Sequence, residues 1–240
     1  MKYAILADVH GNATALEAVI ADARKQGAEE YVCVGDIVGY GAEPESCIAR
    51  VTGLCRAAVA GNHDRAATGR NDMESFNPDA RDSALWTRER LSSAHRQYLD
   101  SLPLSLDIEG ASVVHGSLYL PEQFNYILCS MDALGTFERM TQSLCFVGHT
   151  HVPLFFTLDG ALACEYGENL ALKKDVRAIV NAGSVGQPRD EDRRASYALY
   201  DSGERTVSVR RVGYDWEAAA EKILAAGLPK MNAYRLALGQ

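Results

Sequence analysis

The stretch KYAILADVHGNATALEAVIADARKQGAEEYVCVGD, residues 2–36, decides the fold. It opens on an unbroken apolar run ending at Asp8, passes through a helical pattern, and closes on a second apolar run ending at Asp36. Unbroken apolar runs of this length mark strands buried on both faces. Between them Asn12 is the candidate N-cap, Leu16, Val19, Ile20 and Ala23 recur on one face, and Gly27 stops the helix. Outward from there, PESCIARVTG (44–53) reads as a second helix with Pro44 near its first turn, and CRAAVAGNHD (55–64) as a third strand. Strands alternating with helices imply a parallel sheet with crossover connections. The loops at the carboxyl ends of such strands gather on one edge, where ligands bind. The clusters Asp8 to His10, Asp36 and Asn62 to Asp64 are therefore expected on one rim.

The rest of the chain is read more coarsely. Residues 66–102 are polar and helical and form an insertion or cap over the first half. LSLDIEGASVVHGS (104–117) is a hairpin turning at Glu109-Gly110 and running into His115. A helix near 130–141 leads to SLCFVGHTHVP. Short strands follow, with turns at Asp159-Gly160 and near Ser202-Gly203, and a helix over 214–227 ends before a short tail from Pro229. No repeat or low-complexity linker divides the chain. The expectation is one α/β (α+β) domain over 1–240, with two facing mixed sheets and helices outside.

Composition limits the function. The chain has 240 residues, 47% hydrophobic and 23% charged, with a formal charge of −8. An acidic surface disfavours nonspecific capture of long nucleic acid or anionic membrane. The apolar run at the N-terminus is too short for a signal peptide, and nothing later approaches a membrane span. The six cysteines show no CxxC pairing and lie mostly in apolar runs, so they read as buried reduced thiols of a cytoplasmic protein.

Six histidines occur, and five of them (His10, His63, His115, His149, His151) sit at expected strand ends beside glycine, aspartate or asparagine. His95 lies within a helix and shows what a background histidine looks like here. Singly the motifs are weak: Gly35-Asp36 reads as a turn, and Asn62 as a turn residue after Gly61. His149 and His151, two apart at a strand end, point to one face. Together they carry more. Asp8, Asp36 and Asp64 crowded among imidazoles would repel one another and rise in pKa unless a cation joined them. Asp, Asn and neutral His offer the oxygen and nitrogen donors suited to Mn²⁺, Fe, Zn²⁺ or Ni²⁺. Seven donors exceed one tetrahedral site and suit two metals sharing a carboxylate.

The chain resembles the calcineurin-like metallophosphoesterases. The resemblance rests on DVH (8–10), GDIVGYG (35–41), GNHD (61–64), HG (115–116) and GHTH (148–151), in that order. NAGSVGQPRD (181–190) looks like the late glycine–serine loop of the small prokaryotic phosphodiesterase branch. The resemblance implies a four-layer α-β-β-α sandwich and a dinuclear metal-dependent phosphoesterase, with manganese the leading metal. It places Asp8, His10, Asp36 and His151 around one ion, and Asp36, Asn62, His115 and His149 around the other. Two such ions, about 3.5–4 Å apart, hold a hydroxide and clamp the phosphoryl oxygens. His63 would face the substrate and protonate the leaving alkoxide, with Asp64 orienting its imidazole.

Departures from the family narrow the substrate. Ser/Thr protein phosphatases carry an aspartate–arginine pair where this chain has Gly39-Tyr40, and glutamate where it has Asp64. The missing arginine removes a bidentate phosphate clamp. Tyr40 and Arg189 are the candidate substrate contacts, with Arg189 read either as an anion contact or as a surface salt bridge. Tyr119, Phe124 and Tyr126 are read as a substrate wall or as core. The expected substrate is a small phosphodiester or nucleotide. The alternatives are a phosphomonoesterase or protein phosphatase, and a non-catalytic scaffold like the retromer subunit of this fold. The oligomeric state is open, a homodimer among the options.

Overall fold

The structure, a computed structural model, describes all 240 residues. Strand β1 (Lys2–Leu6) lies parallel to β2 (Glu30–Cys33), which lies parallel to β3 (Ala57–Ala58). Helices α1 (Ala13–Lys25) and α2 (Pro44–Leu54) make the crossovers. Asn12 caps α1 by accepting a hydrogen bond from Ala15 N, and Pro44 opens α2. The third strand is shorter than its apolar run suggested, because the chain leaves the sheet at Val59 and enters α3 (Asn62–Thr68).

Helices α4 (Pro78–Arg90) and α5 (Ser93–Ser101) complete the cap. They do not stand apart from the rest: Leu91, Leu99 and Leu102 join the core that holds Leu6, Leu16 and Ile48. The expected hairpin follows as β4 (Ser105–Ile108) and β5 (Ala111–Val114), then α6 (Ser130–Arg139), β6 (Leu144–Val147), β7 (Leu154–Asp159) and β8 (Ala161–Glu165). Strands β9 (Asn169–Ala171), β10 (Arg177–Asn181), β11 (Ala195–Asp201) and β12 (Thr206–Val212) precede helices α7 (Trp216–Ala225) and α8 (Lys230–Leu238).

One sheet has the order β3-β2-β1-β11-β12-β9, the other β4-β5-β6-β10-β7-β8, and both are mixed. The central strands β1 and β6 are almost wholly apolar because each serves two cores. In β1 and just beyond it, Tyr3, Ile5 and Ala7 face Val113, Phe146 and Val180 between the sheets. Ala4 and Leu6 point the other way, onto α1 and α2. In β6, Leu144 and Phe146 join the inter-sheet layer while Cys145 and Val147 meet Phe137 of α6. This is the four-layer α-β-β-α sandwich. Burying each large aliphatic contributes about 1.5–3 kcal/mol, so doubly buried strands hold their carboxyl ends rigidly.

Two further expectations are corrected, and one strand was not foreseen. The tail after Pro229 is a helix: proline cannot continue α7 but is tolerated where α8 begins, and Asn232, Ala233 and Leu236 share its buried face. Strand β9 escaped notice because only Leu170 of its three residues meets the core. The cysteines divide, with Cys33, Cys47 and Cys145 buried, Cys55 half-buried, and Cys129 and Cys164 exposed. No helix is long and apolar enough to cross a membrane.

Helix α8 reaches the rim. Buried Asn232 donates from Nδ2 to Tyr40 O and to Ser83 Oγ of α4, at 3.3 and 2.8 Å. Asn232→Ala should cost about 2 kcal/mol by leaving a buried acceptor unpaired, read as a lower urea midpoint with unchanged slope.

Candidate active site

The carboxyl ends of β1, β2, β3, β5 and β6 converge on one buried cluster. Asp8, His10, Asp36, Asn62, His63, Asp64, His115, His149 and His151 are all buried. Strand β6 ends at Val147, so His149 and His151 lie in a loop rather than on a strand. Both have left-handed backbone, with φ of 69° and 62°. The strand periodicity that aimed them at one face does not apply, and they diverge. His151 Nε2 lies 3.0 Å from His10 Nε2, while His149 Nδ1 lies 3.1 Å from His115 Nε2.

The left-handed conformation recurs at Asp8 (53°), His10 (49°), Asp36 (52°) and Tyr40 (55°). Such backbone strains non-glycine residues and gathers at functional sites. Glycines make the room: a side chain on Gly61 would collide with the Asp36 carboxylate, and one on Gly148 with that of Asp8.

Three imidazoles are held alike. His10 Nδ1 faces Val38 O at 3.0 Å, His115 Nδ1 faces Val34 O at 2.8 Å, and His151 Nδ1 faces Gln187 O at 2.6 Å. A carbonyl oxygen only accepts, so each Nδ1 carries the proton and each Nε2 turns inward. The inward atoms meet carboxylates. Asp36 Oδ2 lies 3.6 Å from His10 Nε2 and 3.3 Å from His115 Nε2, and Asp8 Oδ1 lies 3.4 Å from His151 Nε2. Asn62 Oδ1 is 3.2 Å from His115 Nε2.

Three sets therefore bring ligand atoms within 4.8 Å of one another: Asp8, His10 and His151; Asp36, His115 and His149; and His10, Asp36 and His63. Two neutral imidazoles at 3.0 Å with both lone pairs inward repel each other, and a shared cation removes the conflict. The donor set fits a divalent metal with oxygen and nitrogen ligands.

Electrostatics agree. Burial, with Asp36 adding, raises Asp8 to about 7. Burial alone would lower His115, but Asp36 and Asp8 outweigh it and raise the imidazole to about 9. Burial would raise Asp36, yet the neighbouring His115 and His63 hold it well below the usual range. A proton on His115 thus does part of a cation's work. Burial lowers His10, His149 and His151, keeping them neutral.

His63 differs from the carbonyl-held rings. Its Nδ1 is buried with no partner, beside Gly39, where any side chain would strike the ring. Burial, reinforced by Arg189 against the pull of Asp36, lowers it to about 4. Asp64 does not orient this imidazole, contrary to expectation. Its Oδ1 accepts from Ile37 N and Val38 N, and its Oδ2 from Gly61 N, so its capacity goes to the backbone. Its place three residues after Gly61 makes it a cap for α3 that also ties down the Asp36 loop.

Arg189 forms no salt bridge. Its Nη2 donates to Gln187 Oε1 at 2.8 Å, its Nε is buried without a partner, and its guanidinium lies 5.4 Å from the Tyr40 ring centroid. The neighbouring Asp190 is taken by Arg211. Tyr40, His63, His149, Phe124, Tyr126 and Arg189 line a cavity of about 260 Å³, whereas Tyr119 packs under Arg139. His95 pairs with Glu45 away from the site.

Sequence reading missed the residues that hold the late loop in place. Ser184 Oγ donates to Asp8 O and accepts from Gln187 N, and Asn181 Nδ2 donates to Gly148 O and Thr150 Oγ1. The glycine–serine pattern marked this loop without revealing its partners. Phe76, 4.7 Å from the His63 ring, carried no signal at all.

Asp64→Ala should destabilise the protein by about 3 kcal/mol, since it strands buried backbone donors, measured by denaturant unfolding. A role confined to orienting His63 would instead leave stability unchanged.

A sequence model of the calcineurin-like phosphoesterase superfamily domain matches residues 1–205. An uncharacterized protein of Methanocaldococcus jannaschii is 36% identical over 242 residues, covering 99% of this chain and 98% of that protein. The crystal structure of a metallophosphoesterase from Sphaerobacter thermophilus is similar at 41% identity and a TM-score of 0.89, over 100% of this chain and 99% of that one. A hypothetical protein of Pyrococcus horikoshii OT3 shares the fold at 22% identity and a TM-score of 0.81, over 100% and 98% of the two chains. The donor cluster and these likenesses lead to one conclusion: the chain belongs to the calcineurin-like phosphoesterase superfamily.

Proposed function

We propose that this protein is a dinuclear metal-dependent phosphoesterase acting on small phosphodiesters or nucleotides, with manganese as its leading metal. The observation that carries the reading is the pairing of imidazoles on either side of Asp36: His10 with His151, and His115 with His149. Asp8, His10 and His151 would hold one ion, and Asn62, His115 and His149 the other. Asp36, whose Oδ2 faces both His10 and His115, would be shared by the two sites. When bound, the metal pair supplies Lewis acidity and lowers the pKa of water toward neutrality.

The chain's own residues do the rest. Arg189, with no carboxylate partner in an acidic protein, meets a non-bridging phosphate oxygen and supplies the cation that Gly39-Tyr40 lacks. The Tyr40 ring lies beside both Arg189 and His63, 4.5 Å from the latter, and forms one side of the phosphate pocket. His63 is neutral in the resting site. An arriving phosphate offsets the Arg189 charge and raises the proton affinity of the imidazole, which takes up a proton from solvent and then donates it to the leaving oxygen.

The manganese-loaded protein is expected to hydrolyse bis(p-nitrophenyl) phosphate, with activity lost on chelation. Absence of turnover on this diester and on a phosphomonoester panel would sink the enzyme reading. His63→Ala should retain its metal while losing about 10²–10⁴-fold in kcat; full activity in that variant would remove the proton-donor role.

Metal affinity should rise with pH. His115 keeps its proton up to about 9 and Asp8 up to about 7, and a metal must displace both. Manganese binding between pH 6 and 8 should therefore tighten as pH rises and release protons, by up to about tenfold per displaced proton per unit below each pKa. Calorimetry in buffers of different ionisation enthalpy measures the release.

A further inference from the structure

The cavity above the cluster extends beyond the phosphate site, and its outer walls come from segments that contain none of the family motifs. Phe76, Asn71 and Asn77 belong to the 66–102 insertion, and Gln123 and Tyr126 to the loop before α6. Phe76 stands beside His63 at 4.7 Å between ring centroids, and Tyr126 stacks on His149 at 3.9 Å and 16°. Tyr126 is 50% exposed, so one ring face is covered by the imidazole while much of the ring stays open to the cavity.

The polar lining is unusual for a chain of net charge −8. It contains no carboxylate and no lysine, and Arg189 is its single cation. Carboxamides dominate instead. Asn77 uses its Oδ1 to cap α4, which leaves its Nδ2 free, and the Asn71 side chain has no partner within the protein. Gln123 makes only a long contact of 3.4 Å to Asn125. Carboxamides present donors and acceptors together, which matches the edge of a heterocyclic base better than an alkyl chain or a second anion. Aromatic faces serve its flat surfaces.

We infer that this cavity binds the leaving group of the substrate and that the leaving group is a nucleoside, its base against Phe76 and Tyr126 and its polar edge toward Asn71, Asn77 and Gln123. The inference rests on the phosphoesterase reading and assigns its substrate class. The cap and the loop before α6 are then specificity elements, and the metal cluster is indifferent to the base.

The test compares two diesters on the manganese-loaded full chain: adenylyl-(3′,5′)-adenosine and glycerophosphoethanolamine. The expected kcat/KM ratio favours the dinucleotide by about tenfold or more, within what base–aromatic stacking contributes. In Phe76→Leu and in Asn71→Leu the ratio should fall toward one. Because a ratio is read, a general loss of activity does not mimic the effect, and bound manganese is counted in each variant. A ratio near one in the parent, or a preference surviving both substitutions, overturns the inference while leaving the phosphoesterase reading intact. If neither diester is cleaved, calorimetric titration with AMP and with glycerol 3-phosphate decides it. AMP binding about tenfold tighter supports the nucleoside pocket, and equal or absent binding overturns it.

Discussion

Three backbone carbonyls govern the site. The oxygens of Val34, Val38 and Gln187 can only accept, so the imidazoles of His115, His10 and His151 must protonate Nδ1 and turn Nε2 inward. Once those atoms face the Asp8 and Asp36 carboxylates in a buried cluster, a proton or a cation between them relieves the repulsion. The remaining geometry follows from that need. The three carbonyls lie in loops beyond strand ends, those of Val34 and Val38 after β2 and that of Gln187 after β10, and left-handed residues there aim the donors.

The same constraint explains the division of labour among the aspartates. Asp8 and Asp36 face the imidazoles, and Asp64 turns away to bind the backbone amides of Gly61, Ile37 and Val38. Asp64 is as buried as the other two, and burial raises it as burial raises Asp8. The difference is in partners: three backbone N–H groups occupy both oxygens of Asp64, whereas Asp8 accepts only from His149 N and Asp36 only from His63 N, which leaves them facing the imidazoles.

Much of the architecture was legible because it rests on local rules. The apolar runs ending at Asp8 and Asp36, the Asn12 cap and the Glu109-Gly110 turn each state their structure within a few residues. Elements whose identity depends on distant contacts were harder to read. Leu170 makes β9 a strand only by pairing with β12, and α8 is a helix whose buried face rests on Tyr40 and Ser83, far away in the chain. The site shows the same divide. Ordered motifs named every residue of the cluster, but Gln187, Asn181 and Phe76 act through neighbours that no spacing rule brings together.

The sequence by itself determined which chemical groups stand at the strand ends, because strand periodicity and glycine placement are local properties of the chain. It also determined the parallel start of the first sheet, through the alternation of apolar runs and helices. The family resemblance already implied how the histidines pair, and only the tertiary structure supplied the physical reason. His10 meets His151 across 141 residues, and the two histidines of GHTH separate because left-handed backbone in a loop replaces the alternation of a strand. The tertiary structure also decided that Asp64 braces the loop instead of His63, and that Arg189, hydrogen-bonded to Gln187, stands beside the cluster without a carboxylate partner. Pairing of this kind depends on which buried donors and acceptors meet when two sheets close face to face, and one strand read alone does not contain that information.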